Sequence, residues 1–488
     1  MSLINIQNLT FAYDCGTQDI FKDVSFQIDT NWKLGLVGRN GRGKTTFLKL
    51  LMKEFEYQGT ISGTMQFTYF PYLIKEQNKL VCNIMEELCP TAEEWEILRE
   101  FSFLQLDYDN YQSTFSTLSN GEKTKILLAG LFLNENNYLL IDEPTNHLDS
   151  QGRKVLANYL RKKKSFILVS HDRYFLDMCT DHILSINKSN IEVQKGNFSS
   201  WFNNFNATQA FEEAQNEQLK KEIARLSKAT KRTSEWADKV ESSKYGNGPV
   251  DRGFIGHKSA KMMKRAKATE NRQLKSIEQK SELLQNTERM EELKITCLPY
   301  HNDKLINTNN LKIFYDGNSI CEHIELTIKQ GDRLLLNGKN GCGKSSLLKL
   351  IVGENIEYSG NITIPNDLKI SYIPQNADNL RGSLTNFSLE NNIDQALFRA
   401  ILNKMGFDTK EQIEDIEKLS EGQKKKILLA KSLSEKAHLY VWDEPLNYLD
   451  IFTRMQIENL LKNTELSIVF VEHDIAFGQK IANKIYNF

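Results

Sequence analysis

Four sequence motifs occur twice in this 488-residue chain, in the same order and at matching intervals. The stretch LGLVGRNGRGKTTFLKLL recurs as LLLNGKNGCGKSSLLKLI, so that Lys44 corresponds to Lys344. Lys44 precedes Ser119 by 75 positions, and Lys344 precedes Ser420 by 76. Repetition of this kind indicates a tandem duplication in which each copy is one structural unit. A chain of this length is also too long for a single hydrophobic core.

Both copies contain a G-x-x-x-x-G-K-S/T motif between an apolar strand and an apolar helix, which is the context that a phosphate-binding loop requires. The glycines let backbone N–H groups surround the phosphates, the lysine contacts the β- and γ-phosphates, and the hydroxyl coordinates Mg²⁺. A glycine-rich turn that binds nothing is the alternative, and two matches in register argue against it. The predicted nucleotide-binding residues are Gly38, Asn40, Gly41, Gly43, Lys44, Thr45 and Thr46, and in the second copy Gly338, Asn340, Gly341, Gly343, Lys344, Ser345 and Ser346.

Each copy continues with an apolar strand that ends in two carboxylates, in YLLIDE and LYVWDE. We expect Asp142 and Asp443 to hold Mg²⁺ through water, and Glu143 and Glu444 to polarise the attacking water. An acidic strand end is often merely solvated, but behind a phosphate-binding loop the catalytic interpretation is favoured.

The motifs LSNGE and LSEGQ resemble the signature of ATP-binding-cassette (ABC) proteins. The resemblance implies an α/β fold with two tandem ABC-type P-loop nucleotide-binding domains, joined by a long α-helical hairpin linker. It also implies that ATP lies between the two domains. Ser420 and Gly422 would complete the site of Lys44, and Ser119 and Gly121 would complete the site of Lys344.

Further site residues follow from the same resemblance. His171 and His473 match the switch histidine that contacts the γ-phosphate, although a histidine after an apolar strand is more often structural. Tyr13 and Tyr315 match the aromatic residue that stacks on adenine, although aromatics in strands usually belong to the core. Gln375 in SYIPQ matches the family's metal-binding glutamine. The implied Mg²⁺ ligands are Thr45, Asp142, Ser345, Gln375 and Asp443.

The two copies differ at several positions near these motifs. Where the second copy has Gln375, Leu446, Tyr448 and Glu472, the first has Tyr72, Thr145, His147 and Ser170. Both copies keep the lysine, both carboxylates and the histidine. We therefore expect two sites that both hydrolyse ATP at unequal rates.

The segment between the copies is polar and predicts a helical hairpin, with domains at residues 1–202, 203–299 and 300–488 and a loop near 242–258. Lys220 to Lys275 contains sixteen basic and six acidic residues, whereas the whole chain has a net charge of −1. Concentrated positive charge of this kind is typical of an RNA-binding arm. The alternative is a solvated strut, but a strut tends to balance its charges along the helix, and KSAKMMKRAKATENR does not.

Two cassettes on one chain, a basic hairpin and the motif DEPTNHLD resemble the ABC-F family, and the loop GPVDRGFIGHKSAKMMKRAK resembles that of Lsa/Vga-type resistance proteins. The resemblance implies a cytoplasmic monomer that binds the 70S ribosome in its ATP state. The hairpin would contact 23S rRNA, displace the P-site tRNA and promote release of lincosamides, streptogramin A and pleuromutilins. Hydrolysis would then allow dissociation. The implied ribosome or tRNA contacts are Tyr245, Arg252, Phe254, Ile255, His257, Lys258, Lys261, Lys264, Arg265 and Lys267, of which Phe254 and Ile255 could equally pack within the turn.

Three other functions stay open at this point. A transporter motor with separate membrane subunits would leave the basic hairpin unexplained. A DNA-repair-type tandem ATPase usually carries zinc modules, and the seven cysteines of this chain are scattered without a C-x-x-C pair. A housekeeping translation factor would differ only in giving no drug phenotype. The sequence contains no apolar run of membrane-spanning length, and we expect neither a signal peptide nor a C-terminal extension.

Overall fold

The computed structural model describes residues 3–13, 19–134, 137–146, 148–187, 191–242, 264, 267–268, 272, 291–315, 318–378, 380–407 and 411–488. For residues 229–242, 318 and 475 the description covers the backbone alone. The chain divides into two compact units, Met1–Trp201 with Met290–Phe488, and Phe202–Arg289. Both cassettes belong to the first unit.

The first cassette contains a three-stranded antiparallel sheet of order β2-β1-β4 and a six-stranded sheet of order β5-β6-β7-β3-β8-β9. In the larger sheet only β9 is antiparallel to its neighbour. Its strands are β1 Leu3–Phe11, β2 Phe21–Asp29, β3 Lys33–Gly38, β4 Gln58–Ser62, β5 Gln66–Phe70, β6 Asn137–Asp142, β7 Phe166–Val169, β8 His182–Ile186 and β9 Ile191–Lys195. Its helices are α1 Lys44–Leu51, α2 Val81–Leu88, α3 Glu94–Phe103, α4 Tyr108–Gln112, α5 Asn120–Leu133, α6 Ser150–Lys162 and α7 Arg173–Cys179.

The second cassette repeats this arrangement, with a sheet of order β11-β10-β13 and a five-stranded parallel sheet of order β14-β15-β16-β12-β17. Its strands are β10 Lys304–Tyr315, β11 Asn318–Lys329, β12 Arg333–Asn337, β13 Tyr358–Thr363, β14 Ile370–Ile373, β15 Leu439–Asp443, β16 Ile468–Val471 and β17 Lys484–Asn487. After helix α8, described below, its helices are α9 Lys344–Val352, α10 Leu384–Glu390, α11 Gln395–Lys404, α12 Glu421–Ser434, α13 Ile451–Asn463 and α14 Ile475–Ile481.

The central strands of each parallel sheet are apolar along their whole length because helices or the second sheet cover both faces. Strand β7 and strand β16 are buried at every residue. The strand ends therefore lie at the rim of a rigid sheet, where the polar side chains of the repeated motifs follow. This confirms the predicted α/β fold class with two tandem cassettes.

Helix α8 covers Phe198–Ser242 and begins against the first cassette. Phe198 and Trp201 are buried, and the backbone N–H of Ser199 donates to the Asp177 carboxylate at 2.7 Å. The chain that returns to the second cassette is also held: Leu298 N–H donates to Ala437 O at 2.9 Å. Among the helices that the structure describes, none is both long enough and apolar enough to cross a membrane.

Candidate functional site

Each phosphate-binding loop turns from a buried strand into a helix that begins at the motif lysine. Gly43 and Gly343 precede these helices with φ of 88° and 97°, in the left-handed region that favours glycine. Space also requires glycine, because a Cβ would lie 2.6 Å from Ile20 at Gly43 and 2.0 Å from Cys321 at Gly343. The helix N-termini therefore present free backbone N–H groups, which suits a phosphate group.

The two motif lysines lie at the centres of their loops. Lys44 Nζ donates to the carbonyl oxygens of Gly38 at 2.8 Å and Arg39 at 3.2 Å. Lys344 Nζ donates to Gly338 O at 2.9 Å and Lys339 O at 2.7 Å. Both side chains are buried, so each loop holds one cation that has little access to water. This is an arrangement that can bind the terminal phosphates of a nucleotide.

The carboxylates at the ends of β6 and β15 have different surroundings. Asp142 accepts hydrogen bonds from Thr45 at 2.8 Å and from the Tyr69 hydroxyl at 3.0 Å. Asp443 is fully buried, and neither carboxylate oxygen has a hydrogen-bond partner among the residues that the structure describes. Burial raises the pKa of Asp443 to about 6, an effect that the nearby Ser345 hydroxyl partly offsets. A buried unpaired carboxylate beside a hydroxyl fits a hard divalent cation such as Mg²⁺, which prefers oxygen ligands.

The next residue in each copy is the predicted catalytic glutamate, and both have left-handed backbone, with φ of 49° at Glu143 and 46° at Glu444. Residues other than glycine rarely adopt this backbone conformation, and backbone strain of this kind is concentrated at functional sites. His171 Nε2 lies 3.4 Å from the Glu143 carboxylate, and His473 Nε2 lies 3.2 Å from that of Glu444. The same glutamate–histidine geometry thus occurs in both copies.

The pKa values of the two catalytic glutamates are shifted in opposite directions. Burial, with the adjacent Asp142, raises the pKa of Glu143. Burial acts in the same direction on Glu444, but hydrogen bonds from His473 and Gln375 outweigh it and lower the pKa of Glu444. The second glutamate is therefore the more readily ionised of the two.

Two cavities lie between the cassettes, and each is lined by the phosphate-binding loop of one cassette and the signature motif of the other. The first cavity, of about 470 Å³, is lined by residues that include Tyr13, Asn40, Gly41, Gly43, Lys44, Thr45, Thr46, Asp142, Glu143, His171, Ser420 and Gly422. The second cavity, of about 870 Å³, is lined by residues that include Ser119, Gly121, Tyr315, Asn340, Gly341, Gly343, Lys344, Ser345, Ser346, Gln375, Glu444 and His473. The structure thus brings together the residues that the sequence analysis paired across the duplication.

Direct contacts join the two sides of the first cavity. Asn40 Nδ2 donates to Tyr448 O at 3.0 Å, and a Cβ on Gly422 would lie 3.0 Å from the same amide nitrogen. Asp450, next to this contact, forms a buried ion pair with Lys426 at 3.3 Å. Asp450 has a lowered pKa: burial alone would raise it, but Lys426, the Thr453 N–H and Lys44 favour the ionised form. At the second cavity, Tyr448 corresponds to His147, which lies outside the described residues.

The predicted adenine-stacking tyrosines line their cavities as partly exposed side chains. Tyr13 is 44% exposed and Tyr315 is 40% exposed, so neither belongs to the core. The Tyr13 hydroxyl hydrogen-bonds Thr46 at 2.9 Å, and its ring packs edge-on against Phe55. Each ring therefore has surface available for a base.

Three residues near the predicted metal sites were not predicted from the sequence: the tyrosine pair Tyr69 and Tyr372, and Lys425. Tyr69 bonds Asp142, whereas the corresponding Tyr372 hydroxyl is buried and has no hydrogen-bond partner among the described residues. Comparison of FTYFPY with SYIPQ would have singled out this tyrosine pair. The other missed residue is Lys425, which is described below. Tyr72, at the position of Gln375, is 45% exposed and is not among the residues lining the first cavity.

The remaining differences replace one local contact with another. In the first copy the hydroxyls of Thr145 and Ser170 lie 3.4 Å apart. In the second, the Glu472 carboxylate accepts from the backbone N–H of Leu446 at 2.8 Å and of His473 at 2.9 Å. In both copies these contacts connect the turn after the catalytic glutamate to the segment that carries the histidine. The connection is made by two hydroxyl groups in the first copy and by a carboxylate in the second.

Most of the predicted ribosome contacts lie outside the described residues, namely Tyr245, Arg252, Phe254, Ile255, His257, Lys258, Lys261 and Arg265. Lys264 and Lys267 are described, and both are helical and exposed.

Comparison with known proteins places the chain among ABC ATPases. The family model described as ABC transporter matches residues 21–146 and 321–447, just over half of the chain. The ribosome protection protein VmlR of Bacillus subtilis is 25% identical over 97% of this chain and 84% of its own length. The energy-dependent translational throttle protein EttA of Escherichia coli is 26% identical over 96% of this chain and 89% of its own length.

A solved structure has the same fold over nearly the whole chain. The archaeal ribosome recycling factor aABCE1, in complex with the stalk protein aP1, aligns with a TM-score of 0.65 at 18% identity, covering 98% of this chain and 87% of that one. The family model covers more than half of the chain, and a resistance ATP-binding protein of Staphylococcus epidermidis, MsrA, is 30% identical over 93% of this chain and 91% of its own length. With the duplicated loops and the cross-paired cavities, the chain belongs to the ABC family and, within it, to the ABC-F group, and it is an ATP hydrolase.

Proposed function

We propose that the chain binds one ATP in each cavity with Mg²⁺, and that ATP-dependent closure of the cassettes drives its binding to the bacterial ribosome. The observation that carries this proposal is the composition of the cavities. Each requires a phosphate-binding loop from one cassette and a signature serine from the other. Nucleotide bound in either cavity therefore contacts both cassettes and favours their association.

Within each cavity the chain's own groups have separate tasks. The loop N–H groups and Lys44 or Lys344 bind the phosphates, and the opposite Ser420 or Ser119 contacts the terminal phosphate only when the cassettes are together. Bound Mg²⁺ would neutralise phosphate charge. Asp142 and Thr45 would hold the ion in the first cavity, and Asp443, Ser345 and Gln375 would hold it in the second. Glu143 and Glu444 accept the proton of the attacking water, and His171 and His473 orient them. Hydrolysis removes the contact across the cavity and allows release.

The target proposed for this cycle is the 70S ribosome, with the segment 203–299 inserted at the tRNA exit site towards the peptidyl-transferase centre. The net positive charge between Lys220 and Lys275 supports contact with 23S rRNA and P-site tRNA. The match to a ribosome protection protein along nearly the full chain supports displacement of lincosamide, streptogramin A and pleuromutilin antibiotics. The chain would act as a cytoplasmic monomer whose cassettes pair within one molecule.

The second candidate is a housekeeping translation factor, which the comparable match to a translational throttle protein favours. Both candidates share ribosome binding and differ in the drug phenotype. To separate the two candidates, one bacterial host expresses the chain and a second expresses a variant with inactive cavities at the same level. Increased resistance that requires active cavities supports protection, and unchanged drug sensitivity supports the housekeeping role.

The first experiment uses the Glu143→Gln/Glu444→Gln chain, which should retain ATP without hydrolysing it. We expect it to co-sediment with bacterial 70S ribosomes when ATP is present and to stay in the supernatant with ADP. The matched control adds Ser119→Arg and Ser420→Arg, which should block closure and abolish co-sedimentation. Binding to membranes in place of ribosomes would overturn the proposal and favour a transporter motor.

A further inference from the structure

Lys425 is a buried cation on helix α12, and among the described residues its side chain hydrogen-bonds three backbone carbonyl groups. Its side chain is 1% exposed, and Nζ donates to Pro374 O at 2.9 Å, Gln375 O at 3.0 Å and Asp443 O at 3.3 Å. Burial of an ammonium group is costly unless protein groups replace its water. Three carbonyl oxygens do so here. Burial lowers the pKa of Lys425 to about 8, against the influence of Asp443 and Glu472.

These contacts connect elements that serve different cavities. Helix α12 begins after Ser420, five residues before Lys425, and Ser420 lines the first cavity. The carbonyl groups belong to Gln375, which lines the second cavity, and to Asp443, which precedes the second catalytic glutamate. Lys425 therefore connects the helix that carries the first cavity's signature serine to two parts of the second cavity: the Pro374–Gln375 segment and the end of strand β15.

Within the described part of the first cassette, no corresponding contact is present. Thr124 occupies the matching position, and its hydroxyl donates to Asn120 O at 3.0 Å within the same helix. Among the residues that the structure describes, α5 makes no hydrogen bond to Pro71 or Tyr72, the counterparts of Pro374 and Gln375. The Thr124 hydroxyl is hydrogen-bonded within its own helix. Helix α5, which carries the signature serine of the second cavity, therefore has no equivalent connection to the first cavity among the described residues.

We propose that Lys425 is a positioning residue that couples ATP binding in the first cavity to hydrolysis in the second. This rests on the two-cavity ATPase proposed above. When Ser420 and Gly422 contact nucleotide in the first cavity, movement of the α12 N-terminus reaches Gln375 and Asp443 through Lys425. Coupling of two binding events is necessarily mutual, whereas coupling to turnover need not be. Lys425 therefore makes binding cooperative while its kinetic effect falls on the second cavity.

The first test measures equilibrium binding of the fluorescent analogue TNP-ATP, with Mg²⁺, to the non-hydrolysing Glu143→Gln/Glu444→Gln chain. We expect cooperative binding that becomes independent when Lys425→Thr copies the first cassette, a loss of coupling of roughly fivefold or more. Thr124→Val is the matched control and should leave cooperativity unchanged. Independent binding without any change at Lys425, or cooperativity that survives Lys425→Thr, would overturn the proposal.

The second test measures turnover in two backgrounds, Glu143→Gln, in which only the second cavity hydrolyses ATP, and Glu444→Gln, in which only the first does. Lys425→Thr should lower kcat at the second cavity by roughly 5- to 30-fold with a smaller change in KM. The first cavity should change by no more than about twofold, because Ser420 and Gln423 form a capping box that holds the α12 N-terminus without Lys425. Lys425→Arg, which keeps the donors, should restore part of the loss.

Equal losses in both backgrounds would indicate a merely structural role and would contradict the proposal. If Lys425→Thr lowers the thermal midpoint, Lys425→Met replaces it, since methionine keeps most of the length without the charge. Failure of both single-site backgrounds to hydrolyse ATP would refute the proposed function. The inference on Lys425 would still be decided, because the binding test requires no hydrolysis.

Discussion

The first cavity is about 470 Å³ and the second about 870 Å³, although the same motifs line both. The smaller cavity is crossed by the contact of Asn40 with Tyr448 O, and the buried Lys426–Asp450 pair lies beside it. Asn40 belongs to the phosphate-binding motif, whereas Lys426 and Asp450 lie outside the phosphate-binding and signature motifs. The two cavities therefore differ in how the residues around the shared motifs pack, and not in the motifs alone.

The largest expected effect concerns the catalytic glutamates, and it tests whether the cavities are unequal. Glu444→Gln should lower ATP turnover more than Glu143→Gln, because Gln375 contacts Glu444 while the pKa of Glu143 is raised. The double variant should lose roughly 10²- to 10⁴-fold, the usual contribution of a general base. Steady-state phosphate release measures all three. Equal losses from the two single variants would show that the two cavities hydrolyse ATP equally well.

The buried ion pair beside the first cavity should produce the next largest effect. Lys426→Met leaves the buried Asp450 carboxylate without its partner and should lower the free energy of unfolding by roughly 3–5 kcal/mol. Lys125→Met is the matched change, and should cost less than about 1 kcal/mol, because its position and that of Asp149 are only partly buried. Urea unfolding compares the two. Similar costs would mean that this pair does not distinguish the cavities.

The smallest expected effect compares the tyrosines beside the two metal-binding carboxylates. Tyr69→Phe removes a hydrogen bond to Asp142 and should cost roughly 1.5–3 kcal/mol of unfolding free energy. Tyr372→Phe removes a buried hydroxyl that has no partner among the described residues, and should be neutral or stabilising by about 1 kcal/mol. Because the chemical change is identical in both variants, the difference in stability reports only the surroundings of the two hydroxyl groups. A greater loss from Tyr372→Phe would contradict this prediction.

The duplication made much of the fold predictable. Lys44, Asp142 and Glu143 each have a counterpart at a matching interval, so two cassettes and strands that end in paired carboxylates followed from the repeat. The pairing of each loop with the opposite signature motif was also predictable, but only from family resemblance. No local pattern reports a contact between Asn40 and Tyr448, which are 408 positions apart.

What the sequence did not predict depends on packing. Lys425 lies in the run KKK, where charged residues on a helix usually face solvent, yet its side chain is buried. Only the positions of the Gln375 and Asp443 carbonyl groups explain that burial. The Asp142–Tyr69 bond likewise depends on the neighbouring positions of β5 and β6 in the sheet. Side-chain hydrogen bonds between elements that are distant in sequence can be identified only in the folded structure.

The cross-paired cavities also bear on how the two halves of such a chain can evolve after duplication. In a pair of independent enzymes, one copy is free to decay while the other carries the activity. Here a substitution at Ser420 or Gly422 of the second half alters the cavity that contains Lys44 of the first. Selection on either cavity therefore acts on both halves, so the copies can specialise but neither can be lost alone.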